Sequence, residues 1–229
     1  MPFSFNISTD TLLTYLVRLM IILLINPLHE CAHAYTAHKL GDDTARDRGR
    51  LTLDPIAHID IMGAGLLFFF GFGWAKPVPV DPRNFKDRRL GMMLTAIAGP
   101  LSNLIAAFLG IIAYRLIGAS QFIDYASGYI LRDGETMYYV AWMLYVFVVI
   151  NLNLCLFNLV PVPPLDGSRV LGYFLPPRAE LWLMRNQRVF YGIMMLLMIT
   201  GILSLPLSFL NHWIMQGMLV VTKWIPAVL

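Results

Sequence analysis

Apolar residues are grouped along this chain in long blocks rather than in the short alternating runs of a soluble fold. A block of about 20 apolar residues is long enough to cross the hydrocarbon core of a bilayer as a helix. Five such spans are predicted, at Thr11–Ala34, Gly91–Tyr114, Thr136–Leu159, Val189–Pro206 and Leu207–Pro226. The last two abut, and Pro206 favours a tight hairpin between them over one very long helix.

A further apolar run, Ile59–Ala75, lies between the first two spans and is interrupted by glycines. Residues Arg50 to Asp54 before it alternate like a strand, and the segment KPVPVDP after it is extended because each proline restrains itself and its predecessor. Basic residues flank the run on both sides, at Lys39, Arg46, Arg48 and Arg50 and at Arg83, Lys86, Arg88 and Arg89. Because Lys and Arg accumulate in cytoplasmic loops, the pattern favours a re-entrant segment over a sixth span.

These elements predict an all-α polytopic membrane protein with about five to six transmembrane helices and a small extended or re-entrant β region between the first two spans. Composition agrees, since 58% of the residues are hydrophobic, only 14% are charged, and the mean hydropathy is +0.64. The first ten residues carry no Lys or Arg, whereas several arginines follow the third span. This asymmetry predicts an N-terminus outside the cell membrane and places the end of the first span near the cytoplasmic face.

Charge and cysteine usage narrow the function classes. The formal net charge of +3 comes from short basic clusters between apolar blocks, which are typical of topology determinants, so no nucleic-acid partner is predicted. Cys31 and Cys155 both lie in apolar segments, and reduced thiols are expected. The first apolar block lacks the flanks of a cleavable signal peptide and is expected to stay in the protein.

Three ionisable residues stand together in the first span, within the stretch NPLHECAH. Such residues are costly in an apolar helix and indicate a functional site. Residues four apart share a helix face, so His29 and His33 would present two imidazoles to one ion, with Glu30 beside them as a base. This is the pattern of a zinc hydrolase. Pro27 is expected to loosen the helix just before these residues, because it has no amide hydrogen to donate to Leu23.

A catalytic zinc ion usually has three protein ligands and one open position, so a third ligand is needed. His38 is close in sequence but lies about 140° around the helix from His33. Glu135 and Glu180 lie in polar loops, where solvation is their simplest role. Asp166 is favoured, because it closes the proline-rich end of the third span on the predicted cytoplasmic side; its alternative role is that of an ordinary Asp-Gly turn.

The chain resembles the site-2 protease family of intramembrane zinc metalloproteases, specifically its short group without PDZ or CBS domains. Five stretches carry the resemblance: HECAH (29–33), GRLTLDPIAHID (49–60), WAKPVPVDPRNF (74–85), AGPLSN (98–103) and NLVPVPPLDG (158–167). The resemblance implies that His29, His33 and Asp166 bind one catalytic Zn²⁺ and that Glu30 is the general base.

Other residues match the family less decisively. Asn103 and Asn158 match asparagines that engage the substrate backbone or the developing oxyanion, and interhelical hydrogen bonding is their alternative role. His58 belongs to a recurrent loop motif without an assigned catalytic role. Asp54 and Asp81 stand where the family pattern has Asn, which affects the loops rather than the metal motif.

A single membrane-embedded metalloprotease domain is expected over residues 1–229, with a catalytic core at about 11–176 and a C-terminal helical hairpin at about 188–226; its length and apolar blocks predict one membrane domain, and the resemblance, over about residues 28–176, implies the protease. The expected function is hydrolysis of peptide bonds in or near transmembrane helices during regulated intramembrane proteolysis in the cytoplasmic membrane. Expected partners are the lipid bilayer and a membrane-protein substrate such as a precursor or an anti-sigma factor. The alternatives are a zinc-dependent membrane transporter or sensor, and a catalytically silent scaffold; neither needs Glu30 as a base.

Overall fold

The structure is a computed structural model that describes residues 9–71, 73–118 and 136–226. Within these ranges the chain is helical, and no residue is part of a β-strand. The helices are α1 (Thr9–Met20), α2 (Asn26–Lys39), α3 (Thr44–Asp47), α4 (Pro55–His58), α5 (Ile61–Phe70), α6 (Arg88–Leu116), α7 (Thr136–Asn158), α8 (Asp166–Phe174), α9 (Pro177–Arg185), α10 (Gln187–Thr200) and α11 (Ser204–Val221).

The first predicted span is one continuous helical rod in which α1 and α2 are joined by a π-helical turn, Ile21–Ile25. In that turn the amide of Asn26 donates to the carbonyl of Ile21, five residues back. The irregular turn immediately precedes Pro27, which has no amide hydrogen for the regular ladder. The predicted loosening of the helix before the histidines is therefore present.

Helices α2, α6 and α7 form the centre of the fold, with α6 between the other two. Small residues let these helices approach closely, as is usual for helices that pack in lipid. At Gly110, α6 and α7 are so close that an added Cβ would lie 2.6 Å from a methyl group of Val148 on α7. Around this contact lies a buried cluster that includes Ile111, Leu152 and Met215 of α11.

Three helices of the described chain are long and apolar enough to cross a membrane: Thr11–Lys39, Arg88–Leu116 and Met137–Asn158. They correspond to the first three predicted spans. The predicted fourth and fifth spans overlap α10 and α11, but the total of five to six spans is not confirmed. Their boundary also differs from the prediction, because the turn lies at residues 201–203 and Pro206 falls in the first turn of α11. Gly201 supplies the positive φ of 67° for this turn, whereas proline is tolerated at the start of a helix.

The two ends of the apolar run Ile59–Ala75 lie next to each other. Helix α5 has 10 residues, about 15 Å, or half the thickness of the hydrocarbon core. Beyond it the backbone amide of Lys76 donates to the carbonyl of His58 at 2.9 Å, so the two ends of the run are in contact. A transmembrane span would hold its ends on opposite faces of the bilayer, so this geometry supports the re-entrant alternative.

Arg18 of α1 closes the far end of α5, where backbone carbonyls lack helical partners. Its Nη1 donates to the carbonyls of Phe68 at 2.6 Å and Phe69 at 2.9 Å. A helix end inside lipid requires such a donor, because no water is present to satisfy the carbonyls.

The small β region predicted around Leu53 and Val78 is not confirmed. Residues 51–54 form bends that lead into α4, and residues 73–81 are extended but have no ladder partner among the described residues. The physical reason is that Pro77 and Pro79 have no amide hydrogens, which leaves too few donors for a regular ladder.

Candidate metal centre

His29 and His33 lie one turn apart on α2 and direct their imidazoles toward the same point. Their Nε2 atoms are 3.0 Å apart, and the rings meet edge to face at 84°. Helix α6 passes close to both rings at Gly99, where an added Cβ would lie 2.4 Å from the Nε2 of His33 and 2.6 Å from that of His29. A glycine is therefore required at this position for the two helices to pack around the imidazoles.

Helix α6 also fixes the orientation of both rings through their other nitrogens. The Nδ1 of His29 lies 2.8 Å from the Oδ1 of Asn103, and the Nδ1 of His33 lies 2.7 Å from the carbonyl oxygen of Thr95. Both partners are acceptors, so each Nδ1 carries the hydrogen and donates it. Each neutral ring consequently presents the lone pair of its Nε2 to the shared point.

Asp166 completes the cluster from the first residue of α8. Its Oδ2 lies 3.2 Å from the Nε2 of His29 and 3.3 Å from the Nε2 of His33. Asp166 therefore supplies a carboxylate oxygen that faces the two nitrogen lone pairs.

The other candidates for the third ligand lie elsewhere or outside the described chain. His38 is paired through its Nδ1 with Asp43. Glu180 faces Arg89, with 3.6 Å between its Oε2 and the Nε of that arginine. Glu135 is outside the described residues.

The donor set fits a zinc ion. Two imidazole nitrogens and one carboxylate oxygen lie within 4.8 Å of one another. A tetrahedral ion with bonds of about 2.0–2.1 Å separates its ligand atoms by about 3.3 Å, which is close to the distances found among these three atoms. Two facing lone pairs at 3.0 Å repel each other unless a cation or a proton lies between them. Nitrogen and oxygen ligands in this combination are those that zinc uses.

Glu30 lies beside this cluster without belonging to it. Its Oε2 accepts a hydrogen bond of 2.9 Å from the backbone amide of Val78, in the extended segment 73–81. The carboxylate and the three candidate ligands line a cavity of about 190 Å³. It is lined by His29, Glu30, His33, Pro77, Val78, Val80, Thr95, Ala96, Asn158, Pro164, Asp166 and Arg169.

The two asparagines with predicted substrate-binding roles occupy different positions. Asn158 lines the cavity, and its Nδ2 donates to the carbonyl of Leu154 at 3.0 Å. Asn103 is fully buried and contacts His29 through its Oδ1, while its Nδ2 has no hydrogen-bond partner among the described residues. The geometry thus adds a ring-orienting contact for Asn103, and substrate binding by both residues stays a prediction.

His58 is not part of the metal cluster. It is buried, and its Nε2 lies 2.8 Å from the carbonyl oxygen of Thr52, which ties its own loop together. Asp54 and Asp81 accept hydrogen bonds from the amides of Ile56 and Arg83, two residues on. An Asp oxygen makes this turn contact as well as an Asn oxygen does, so the departure from the family pattern preserves the loops.

Sequence reasoning missed three contributors to this site: Gly99, the carbonyl of Thr95 and the amide of Val78. Gly99 lies in the recognised stretch AGPLSN, where a glycine among apolar residues could have indicated a close helix contact. The other two are backbone groups, which any residue type supplies. Their contribution depends on the tertiary structure alone.

Comparison with known proteins identifies relatives of this chain. The model of Peptidase family M50 matches residues 79–202. The protein named "Putative zinc metalloprotease YwhC" from Bacillus subtilis (strain 168) is 42% identical over 191 residues, which cover 82% of this chain and 81% of that protein. "Putative zinc metalloprotease Rip2" from Mycobacterium tuberculosis (strain ATCC 25618 / H37Rv) is 30% identical over 158 residues, 67% of this chain and 55% of that protein. No solved structure matches the chain.

Proposed function

The chain belongs to Peptidase family M50, the site-2 protease family, and we propose that it is an intramembrane zinc metalloprotease. Its reaction is hydrolysis of peptide bonds in or near the transmembrane helices of membrane-protein substrates, as part of regulated intramembrane proteolysis. The single observation that carries the proposal is the convergence of His29, His33 and Asp166 beside Glu30. The two histidines and Glu30 lie on a helix that is long and apolar enough to cross a membrane.

Three side chains would hold the ion: His29 and His33 through Nε2, and Asp166 through a carboxylate oxygen. When bound, the ion supplies Lewis acidity, which makes water a nucleophile at neutral pH and polarises the scissile carbonyl. Asn103 and the carbonyl of Thr95 keep the two imidazoles in the required tautomer and orientation. Three protein ligands leave one position open, which is the arrangement of a catalytic rather than a structural site.

Glu30 acts as the general base in this proposal. Its carboxylate takes a proton from the attacking water and then gives a proton to the amine that leaves. The bond from the Val78 amide occupies one oxygen, Oε2, and orients the group so that the other can receive the proton.

The extended segment 73–81 offers a place for the substrate backbone. Pro77, Val78 and Val80 line the cavity, and the structure gives the amide of Val80 no backbone partner among the described residues. A substrate unwound into an extended strand would pair with this edge and bring its scissile carbonyl to the ligands. Asn158, which also lines the cavity, would bind the substrate backbone or the developing oxyanion.

The proposed setting is the cytoplasmic membrane, with the N-terminus outside and the active site toward the cytoplasm. Lys and Arg accumulate in the segments next to the metal ligands, which supports this orientation. The proposed partners are the bilayer and a substrate with a transmembrane helix.

Purification in detergent, followed by metal analysis and incubation with transmembrane peptides, tests the proposal. The expected result is one zinc ion per chain and cleavage that a chelator stops and added zinc restores. A protein that binds zinc and cleaves none of a broad panel of transmembrane peptides would contradict the protease assignment and favour transport or sensing.

A further inference from the structure

A second cavity adjoins the metal centre. Its volume is about 360 Å³, and Pro164 and Arg169 line both this cavity and the one that contains the metal ligands. The two cavities therefore share a wall. A chain bound at the metal centre would continue along this wall into the second cavity, which we call the arginine cavity.

The arginine cavity is positively charged. It is lined by Arg88 and Arg89 at the start of α6 and by Arg169 on α8, against one carboxylate, that of Glu180. Arg89 is already engaged, because its Nη2 donates to the carbonyls of Gly172 and Leu175 and its Nε faces Glu180. Arg169 is exposed, and its guanidinium has no hydrogen bond or ion pair with any residue that the structure describes.

Arg169 lies close to the reacting position. It follows Asp166 by three residues on α8, so the two side chains share a face of that helix and lie about 5–6 Å apart at their Cβ atoms. An extended substrate advances about 3.3 Å per residue. A guanidinium at this distance reaches substrate side chains about two or three residues from the scissile bond.

We propose that the arginine cavity is a substrate subsite that binds acidic side chains within about three residues of the scissile bond. This inference rests on the proposed function and deepens it by naming a substrate class: membrane proteins with an acidic segment beside the transmembrane helix. Arg88 and Arg89 are the first residues of the candidate span Arg88–Leu116, and α8 follows the candidate span Met137–Asn158, so the arginine cavity lies where these spans end. Helices with basic flanks would be repelled there, so the cavity discriminates by repulsion as well as by attraction.

An anionic lipid headgroup is the competing ligand. The shared wall favours the peptide, because a headgroup seated against Arg169 would obstruct the cavity that contains the metal ligands. Apolar side chains, including Met92 and Leu183, line the cavity beside the arginines, so it can contact both the acidic and the apolar side chains of a peptide.

The test uses the full-length zinc protein and model substrates that share one transmembrane sequence. Three residues on either the amino or the carboxyl side of the cut are acidic, neutral or basic. The expected kcat/KM is about three- to tenfold higher for the acidic than for the neutral flank on one of the two sides, and lower again for the basic flank. High salt should reduce the difference, because part of the ion pair is exposed.

Two variants assign the effect to the cavity. Arg169→Ala should bring the acidic-to-neutral ratio of kcat/KM toward one, and Arg169→Glu should invert the preference toward the basic flank. Arg178→Ala is the matched control, since Arg178 is an exposed arginine on α9 that does not line the cavity, and it should keep the wild-type ratio. Zinc content is measured for every variant, and Arg88→Ala provides a second removal of charge if Arg169 variants lose zinc.

The outcomes separate the inference from the proposed function. If the wild type cleaves no substrate, the proposed function fails. If it cleaves all flanks equally, or if Arg169→Ala slows all substrates by one factor, the subsite is overturned and the protease assignment stands. If flank charge has no effect but phosphatidylglycerol vesicles raise the rate on every substrate through Arg169, the cavity is a lipid site and the inference is wrong.

Discussion

The backbone amide of Val78 donates a hydrogen bond of 2.9 Å to the Oε2 of Glu30, joining the extended segment 73–81 to α2, the helix that carries the two histidines of the proposed metal site. The same segment is held in place at Lys76. The amide of Lys76 donates to the carbonyl of His58, and its carbonyl accepts a hydrogen bond of 2.5 Å from the Nη2 of Arg50. A strand-like edge and a proposed base are thus fixed relative to each other. Contacts far from the metal ligands maintain this arrangement.

Glu30→Gln should retain zinc and lose proteolysis. The amide oxygen of glutamine can still accept from Val78, so the local structure is preserved, but the side chain cannot take a proton from water. We expect kcat to fall by about 10²–10⁴-fold while zinc content stays at one ion per chain. Peptide cleavage and metal analysis on the same preparation measure both quantities. Cleavage at the wild-type rate would contradict the role of Glu30 as a base.

The pair of histidines one helical turn apart could be predicted from local sequence, whereas helix periodicity could not identify the third ligand, which comes from a distant segment. Helix periodicity alone brings His29 and His33 onto one face, and α2 has that geometry. Asp166 is remote along the chain, so no spacing rule reaches it; its place at the predicted cytoplasmic end of the third span and its resemblance to a family motif favoured it over His38. The packing of α8 against α6 is what brings it to the imidazoles.

The fold shows the same division between local and non-local information. Apolar length predicted the first three spans, because that signal resides in each segment by itself. The small sheet was not confirmed, since the amides of Lys76 and Val78 in the proline-rich segment bond to His58 and Glu30 instead of to a neighbouring strand. Such pairings depend on which elements meet, and residue preferences do not encode that.

Asp166→Ala should lower zinc retention together with activity. Removing this carboxylate leaves two imidazoles, and a site with two protein ligands holds zinc weakly. His38→Ala is the control, because His38 pairs with Asp43 away from the cluster and should keep zinc. Competition with a chelator, followed by metal analysis, measures retention in both variants. Equal retention in wild type and Asp166→Ala would assign the third ligand to another group.

Gly99→Ala should damage the metal site without removing any ligand. The new methyl group would lie 2.4 Å from the Nε2 of His33, so α6 must move away from α2 or the rings must turn. Overpacking of about 1–3 kcal/mol corresponds to an approximately five- to 150-fold loss of zinc affinity.

Gly192→Ala is the matched control for this substitution. Gly192 lies in α10, where an added Cβ meets nothing within 4 Å, and alanine favours a helix over glycine by about 1 kcal/mol. Zinc titration of both variants makes the comparison. Normal zinc affinity in Gly99→Ala would show that α6 does not fix the imidazoles as the contact distances indicate.

The two flanks of the run Ile59–Ala75 should be labelled from the same side of the membrane. Single cysteines at residues 46–49 and 83–87, in a protein whose Cys31 and Cys155 are replaced by alanine, would be tested with a membrane-impermeant thiol reagent in oriented vesicles. The contact between Lys76 and His58 requires both flanks to react together. Labelling from opposite sides would convert the run into a transmembrane span and contradict the re-entrant arrangement.

A transmembrane substrate reaches this site as a helix, whose carbonyls are bonded to amides four residues on. The scissile bond is then wrapped away from the ligands and from the edge at 73–81, so the helix must open locally. Opening inside lipid exposes backbone polar groups at a cost of several kcal/mol each unless the enzyme or water satisfies them. The amide of Val80, which has no backbone partner among the described residues, and the side chain of Asn158 would satisfy part of that need.

Residues that weaken the substrate helix beforehand should therefore speed cleavage. Substrates with Gly, Pro or Asn within about one turn of the scissile bond should be cut faster than Leu-rich versions of similar hydrophobicity, by roughly tenfold if the helix is weakened by about 1.4 kcal/mol. A matched peptide series in one lipid gives the rates, mass spectrometry gives the cut sites, and binding to the Glu30→Gln protein separates affinity from chemistry. Equal rates at equal binding would rule out unwinding as the limiting step, because a helix that need not open gains nothing from being weaker.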